Sequence, residues 1–170
     1  IYVAAALRAE FERRFVERVQ ALKLGAALDY SCDVGSLISQ EQLDKVVRHV
    51  EDATAKGATV VTGGSHRPDL GPWFFEPTVL VGVRPGMLAA DEETFGPVVS
   101  LYSVHDDDAA IDAANGTVFG LNASVWTTDR RRGVEVAKRL RYGSVNVNEG
   151  YAASWGSHDL PLGGMKASGL

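Results

Sequence analysis

Apolar positions along the chain fall into two rhythms, one of helices and one of strands. The opening run Ile1-Tyr2-Val3-Ala4-Ala5-Ala6 reads as a buried strand. Phe11, Phe15, Val16, Val19 and Leu22 then recur at helical spacing among charged neighbours, which predicts an amphipathic helix over residues 8 to 23, closed by Gly25. Ser39 stands three residues before Gln42, the arrangement of a capping box, so a second helix is expected. Its apolar face is Leu43, Val46, Val47, Val50 and Ala53, and Gly57 is placed to end it. Residues 58 to 62, 78 to 83, 98 to 104, 122 to 127 and 144 to 147 are β-rich runs. Residues 65 to 72 are a loop by composition, and 84 to 97 form an irregular segment with two prolines, two glycines and an acidic cluster. Two further helices are predicted: residues 106 to 114, with acidic residues in the first turn, and a helix capped by Asp129 that runs to about Arg141.

Strands that alternate with amphipathic helices cannot return by tight hairpins, so most of them should lie parallel. The predicted class is α/β: three layers, a mostly parallel sheet with helices on both faces. At 170 residues the chain has room for one domain, spanning residues 1 to 170. It opens at Ile1 within a strand-like run and stops at Gly169-Leu170 after a glycine-rich segment, as expected of a piece of a longer polypeptide.

Composition narrows the function. Apolar residues at 45% and charged residues at 23% exclude a disordered or collagen-like chain. Seventeen Lys+Arg against 22 Asp+Glu give a net charge of −5 and no basic stripe, so no nucleic-acid partner is expected. No apolar run is long enough to span a bilayer, and no secretory signal plan opens the chain. The single cysteine, Cys32, excludes an internal disulfide and fits a reducing cytoplasm.

Several chemistries leave no trace. None of the 18 glycines forms G-x-G, so the dinucleotide fingerprint of the Rossmann kind is missing. The phosphate-cradling loop is missing too, and Gly163-Gly164-Met165-Lys166-Ala167-Ser168-Gly169 reads as a turn with close backbone packing. His49, His66, His105 and His158 have no partner at zinc spacing, so no metal is expected. Cys32 lies beside Asp33, which raises rather than lowers a thiol pKa, so a loop thiol without a role is the stronger reading over a nucleophile. The acidic run Asp91-Glu92-Glu93 leads straight into Thr94-Phe95-Gly96-Pro97, where a turn would fix one carboxylate and one ring together; solvated surface and a binding site are both open readings. The segment 148 to 159, with Tyr151, Ser154, Trp155, Ser157 and His158, follows the last strand, at the carboxyl end where open α/β sheets bind ligands. An ordinary connection is an equal alternative there.

Taken together, Glu92-Glu93-Thr94-Phe95-Gly96-Pro97-Val98, Glu76-Pro77-Thr78-Val79-Leu80, Ala114-Asn115-Gly116-Thr117-Val118-Phe119-Gly120-Leu121, Val147-Asn148 and Pro161-Leu162-Gly163-Gly164-Met165-Lys166-Ala167-Ser168-Gly169 resemble the NAD(P)-dependent aldehyde dehydrogenase superfamily, in order and over nearly the whole chain. Residues 148 to 165 are most similar to bacterial succinate-semialdehyde dehydrogenases. The resemblance implies that Glu93 bonds the nicotinamide ribose hydroxyls of NAD or NADP and that Phe95 packs against the nicotinamide end. It implies a small aldehyde as substrate, with Tyr151, Trp155 and Leu162 lining its tunnel and Ser154 or Ser157 meeting a distal carboxylate. Leu162 departs from the aromatic ring many members carry before Gly-Gly. The family's nucleophilic cysteine and general-base glutamate, and its cofactor domain, correspond to polypeptide upstream of Ile1, so no catalytic residue is assigned within the chain. The implied parent is a cytoplasmic homo-oligomer, and the chain alone is expected to be inactive. A non-catalytic interaction module that keeps the fold is the rival reading.

Overall fold

The structure, a computed structural model, describes residues 1–27, 29–156, 159 and 163–169, the side chains of 153 and 155 excepted. It divides into two compact units, Ile1–Ser103 and Val104–Leu170, each described by itself.

The first unit comprises β1 (Tyr2–Ala4), a 3-10 turn, α1 (Arg8–Gln20), α2 (Gln40–Ala55), β2 (Thr59–Thr62), β3 (Thr78–Val81), α3 (Leu88–Asp91) and β4 (Val98–Val104). The strands form one sheet in the order β1-β4-β3-β2. β3 and β4 run parallel with Thr78 opposite Val98 and Val81 opposite Leu101. Ile1 N donates to Ser100 O at 2.6 Å and Tyr102 N donates to Ile1 O at 2.9 Å, the slanted pattern of a second parallel pair. β2 pairs antiparallel with β3, because no helix intervenes to carry the chain across the sheet.

The three layers follow from strand alternation. Val60 packs on the core face of α2, while the next residue, Val61, shares a hollow with Ala5, Ala9 and Val16 on the α1 side. α2 begins where Ser39 Oγ accepts from Gln42 N at 3.3 Å. It buries Leu43, Val46, Val50 and Ala53 against Phe75, Leu80, Val83 and Met87. Covering each large aliphatic side chain is worth about 1.5–3 kcal/mol. α1 is shallower: Phe11 and Phe15 stack at 5.5 Å between centroids but stay half-buried. It ends at Gln20 rather than near residue 23, because the backbone of Lys23 and Gly25 pairs instead with Asp33 and Val34.

The second unit comprises α4 (Asp107–Asn115), β5 (Asn122–Val125), α5 (Arg130–Arg139), β6 (Ser144–Val147), α6 (Ala152–Trp155) and a 3-10 turn, Lys166–Ser168. β5 and β6 pair in parallel, Asn122 opposite Ser144. Among the described residues the strands thus form a four-stranded and a two-stranded sheet, mostly parallel, with helices packed on them. The glycine-rich segment is a close-packed turn. A Cβ at Gly143 would lie 1.6 Å from Gly163 O, and one at Gly164 would lie 2.0 Å from Ser168 O. Met165 N bonds Gly120 O and Ala167 N bonds Val118 O, both at 2.9 Å, so two motifs distant in sequence form one backbone knot. Lys166 is spent there too, donating to Thr117 O at 3.0 Å and standing 4.9 Å from the Tyr142 ring centroid.

Candidate functional site

Residues 92–97 link α3 to β4 as a tightly held loop. Thr78 N donates to Pro97 O at 2.7 Å, which ties the loop's end to the start of β3. Gly96 N bonds Thr94 O and Val98 N bonds Gly96 O, each at 2.8 Å, two successive turns of the smallest kind. Gly96 is required by space: a Cβ there would lie 2.5 Å from Val46 Cγ2 on α2. The loop precedes β4 and so lies at that strand's amino end, the opposite of the carboxyl-end placement that guided the reading of residues 148 to 159.

Thr94 turns inward, its hydroxyl 2.6 Å from His49 Nδ1, and Glu93 and Phe95 on either side are exposed, Phe95 to 69%. Among the described residues no hydrogen bond or ion pair engages the Glu93 carboxylate. Exposing a phenylalanine ring to this degree has a cost that a bound partner would recover. An acceptor-only carboxylate with its lone pairs unspent, beside a bare aromatic face, suits a vicinal diol joined to a flat heteroaromatic ring. The residues present therefore fit the ribose and base of a nicotinamide nucleotide.

The sequence reading passed over His49. It is wholly buried on α2, beside Val46 and Val50, with Nε2 3.4 Å from the Glu92 carboxylate. Burial pushes its pKa below the usual histidine value; Glu92 opposes that and Lys45 and Arg48 reinforce it. Its signal was a polar ring at the edge of an apolar helical stripe. Nothing local pointed to its partner, because Thr94 lies 45 residues away.

In the second unit, Asn148 has φ of 59° and closes the ends of β5 and β6 by exchanging two 2.8 Å hydrogen bonds with the Thr127 backbone. Tyr151, half-buried, then opens α6. Ser154 is buried, its hydroxyl 3.3 Å from the side-chain amide of Asn146. Ser157, Leu162 and the Trp155 side chain lie outside the described residues. Cys32 is half-buried, its Sγ against Gly25 and 3.8 Å from the Ser31 hydroxyl; among the described residues no hydrogen bond joins it to a base. No helix among them is long and apolar enough to cross a membrane.

The model of the aldehyde dehydrogenase family matches residues 1–170. A Mycobacterium bovis protein named succinate-semialdehyde dehydrogenase (NADP+) 2 is 56% identical over 170 residues, which cover all of this chain and 33% of the relative. One from Sinorhizobium fredii, likewise named a succinate-semialdehyde dehydrogenase (NADP+), is 42% identical and covered to 34%. Among solved structures, betaine aldehyde dehydrogenase from Staphylococcus aureus in complex with NAD+ matches the whole chain with a TM-score of 0.90 at 34% identity, over 34% of its own length. Aldehyde dehydrogenase from Mycobacterium tuberculosis complexed with NAD+ matches with a TM-score of 0.91 at 35% identity, over 35% of its length. The chain therefore spans about a third of the length of these relatives.

Proposed function

The chain belongs to the aldehyde dehydrogenase family, and from that premise we propose that it supplies the nicotinamide-ribose clamp of an NAD(P)+-dependent enzyme that oxidises a small aldehyde to its acid. The observation that carries this reading is the outward pairing of Glu93 and Phe95 around an inward Thr94. The bound nicotinamide would accept the hydride released from the aldehyde carbon. Glu93 holds the ribose by accepting from two hydroxyls, charge-assisted bonds that fix the sugar's orientation. Phe95 gives the ring a wall and keeps water from one side of it. Together they restrict the hydride acceptor to near-attack poses, the part of the barrier that orientation can remove.

The thiol nucleophile and the general base of such a reaction lie, in this reading, in polypeptide outside these residues, as does the rest of the cofactor site. Either NAD+ or NADP+ suits the clamp, since the two differ at the adenosine ribose; the names of the relatives favour NADP+. Those names also support succinate semialdehyde as the substrate. Tyr151, Ser154, Trp155, Ser157 and Leu162 remain the residues proposed to line the aldehyde's path, with Ser154 or Ser157 meeting a distal carboxylate; the Ser154 hydroxyl also donates to Asn146 Oδ1. The exposed Val118, Leu121 and Trp126 support a homo-oligomeric parent, and the lone thiol suits a cytoplasmic setting.

The test is Glu93→Ala in the full-length enzyme that contains this chain. Losing a charged acceptor of two hydroxyls should raise the cofactor KM about 10- to 100-fold. The aldehyde KM should stay within about twofold, as befits a group that touches only the cofactor. An unchanged cofactor KM would refute the clamp.

A further inference from the structure

His49 is the fully buried titratable group that the clamp, as described, leaves without a role. Its two ring nitrogens face the two residues that flank Glu93: Nδ1 meets the Thr94 hydroxyl at 2.6 Å, and Nε2 stands 3.4 Å from the Glu92 carboxylate. We propose that His49 is a positioning residue for the cofactor: by holding Thr94 inward and facing Glu92, it turns Glu93 and Phe95 outward together as one binding surface. The inference rests on the reading of those two residues as the ribose clamp.

The neighbours decide the tautomer. Glu92, as a carboxylate, only accepts, so the nitrogen facing it carries the proton, and Nδ1 is left to accept from the Thr94 O–H. The Nε2–H···Glu92 contact is too poorly aligned to count as a hydrogen bond, so among the described residues the Thr94 bond is the hydrogen bond that joins α2 to the loop's centre. The charged groups around the ring are Glu92 from the loop and Lys45, Arg48 and Asp52 from α2. Burial outweighs Glu92 and keeps the ring neutral, which is the form able to accept from threonine. The link has leverage. Thr94 stands between Glu93 and Phe95 in the chain, so a turn of Thr94 outward would displace both neighbours with it. Gly96 cannot compensate, because it is wedged against Val46.

In the full-length enzyme, Thr94→Val removes the hydroxyl but keeps the side chain's shape. It should raise the cofactor Kd and KM about three- to tenfold, as loss of one buried hydrogen bond allows, with the aldehyde KM within about twofold. Thr94→Ser should restore the parent values to within about twofold. His49→Phe should reproduce the rise, and the double substitution should add little to either, since both remove the same bond. Independently of activity, imidazole nitrogen NMR should show His49 protonated at Nε2 and bare at Nδ1, with the Nδ1 resonance displaced in Thr94→Val. A cofactor Kd unmoved by Thr94→Val, additive effects, or a proton on Nδ1 would each overturn the proposal. If Glu93→Ala raises the cofactor Kd while Thr94→Val does not, the clamp stands and the positioning role falls; if Glu93→Ala is silent, both fall.

Discussion

Gly96 and His49 act on the same loop by opposite means, one by having no side chain and the other by having a buried polar one. A glycine ahead of proline is visible in any sequence, and so is an acidic run beside an aromatic residue; this is why Glu93 and Phe95 could be singled out before their surroundings were known. His49 could not, because its meaning comes from Thr94 and Glu92. Its burial also predicts a pH dependence. The unfolded chain takes up a proton on this ring near pH 6.5, about the usual histidine value, and the folded chain takes it up only at lower pH. Below about pH 6.5 the unfolded state therefore binds more protons, and stability falls with pH until the lowered folded value is passed. The thermal midpoint should drop as the pH is lowered below about 6.5, and His49→Phe should flatten that part of the curve. Parallel curves for parent and variant would assign the acid sensitivity elsewhere.

The starts of α2, α4 and α5 were the most legible features, and each has a side chain that explains it. Ser39 caps α2, Asp106 accepts from Ala109 N at 2.8 Å to start α4, and Asp129 accepts from Arg132 N at 3.1 Å to start α5. Asp106→Ala should cost about 0.5–2 kcal/mol in chemical denaturation, because the first-turn N–H groups lose their acceptor. A change under about 0.3 kcal/mol would show that water or Asp107 replaces the cap. The short helices α3 and α6 were not legible. α3 has only four residues, too few for a period, and it is nucleated from outside: Asp52 on α2 accepts from Leu88 N at 2.8 Å, and Met87 is buried beside it. That carboxyl is held below its usual range first by Lys56 and then by the Leu88 N–H, so it caps as an anion.

Across the whole molecule, none of the described residues is proposed as nucleophile or general base. Cys32 packs its sulfur on Gly25 with a serine hydroxyl as polar neighbour, and among the described residues no hydrogen bond joins it to a base. Residues 1–170 alone should therefore reduce neither NAD+ nor NADP+ with succinate semialdehyde in an absorbance assay. Turnover that persists in Cys32→Ser would overturn the division of labour proposed for this chain. Fold class and the order of the strands and longer helices were set by the sequence itself, because periodicity, caps and turn residues act over a few neighbours and are written where they act. Tertiary structure alone decided the antiparallel entry of β2, the pairing into a four-stranded and a two-stranded sheet, the knot between Gly120 and Met165, and the grip of His49 on Thr94. Each of these joins groups 17 or more residues apart, and packing in three dimensions, rather than local preference, chooses such partners.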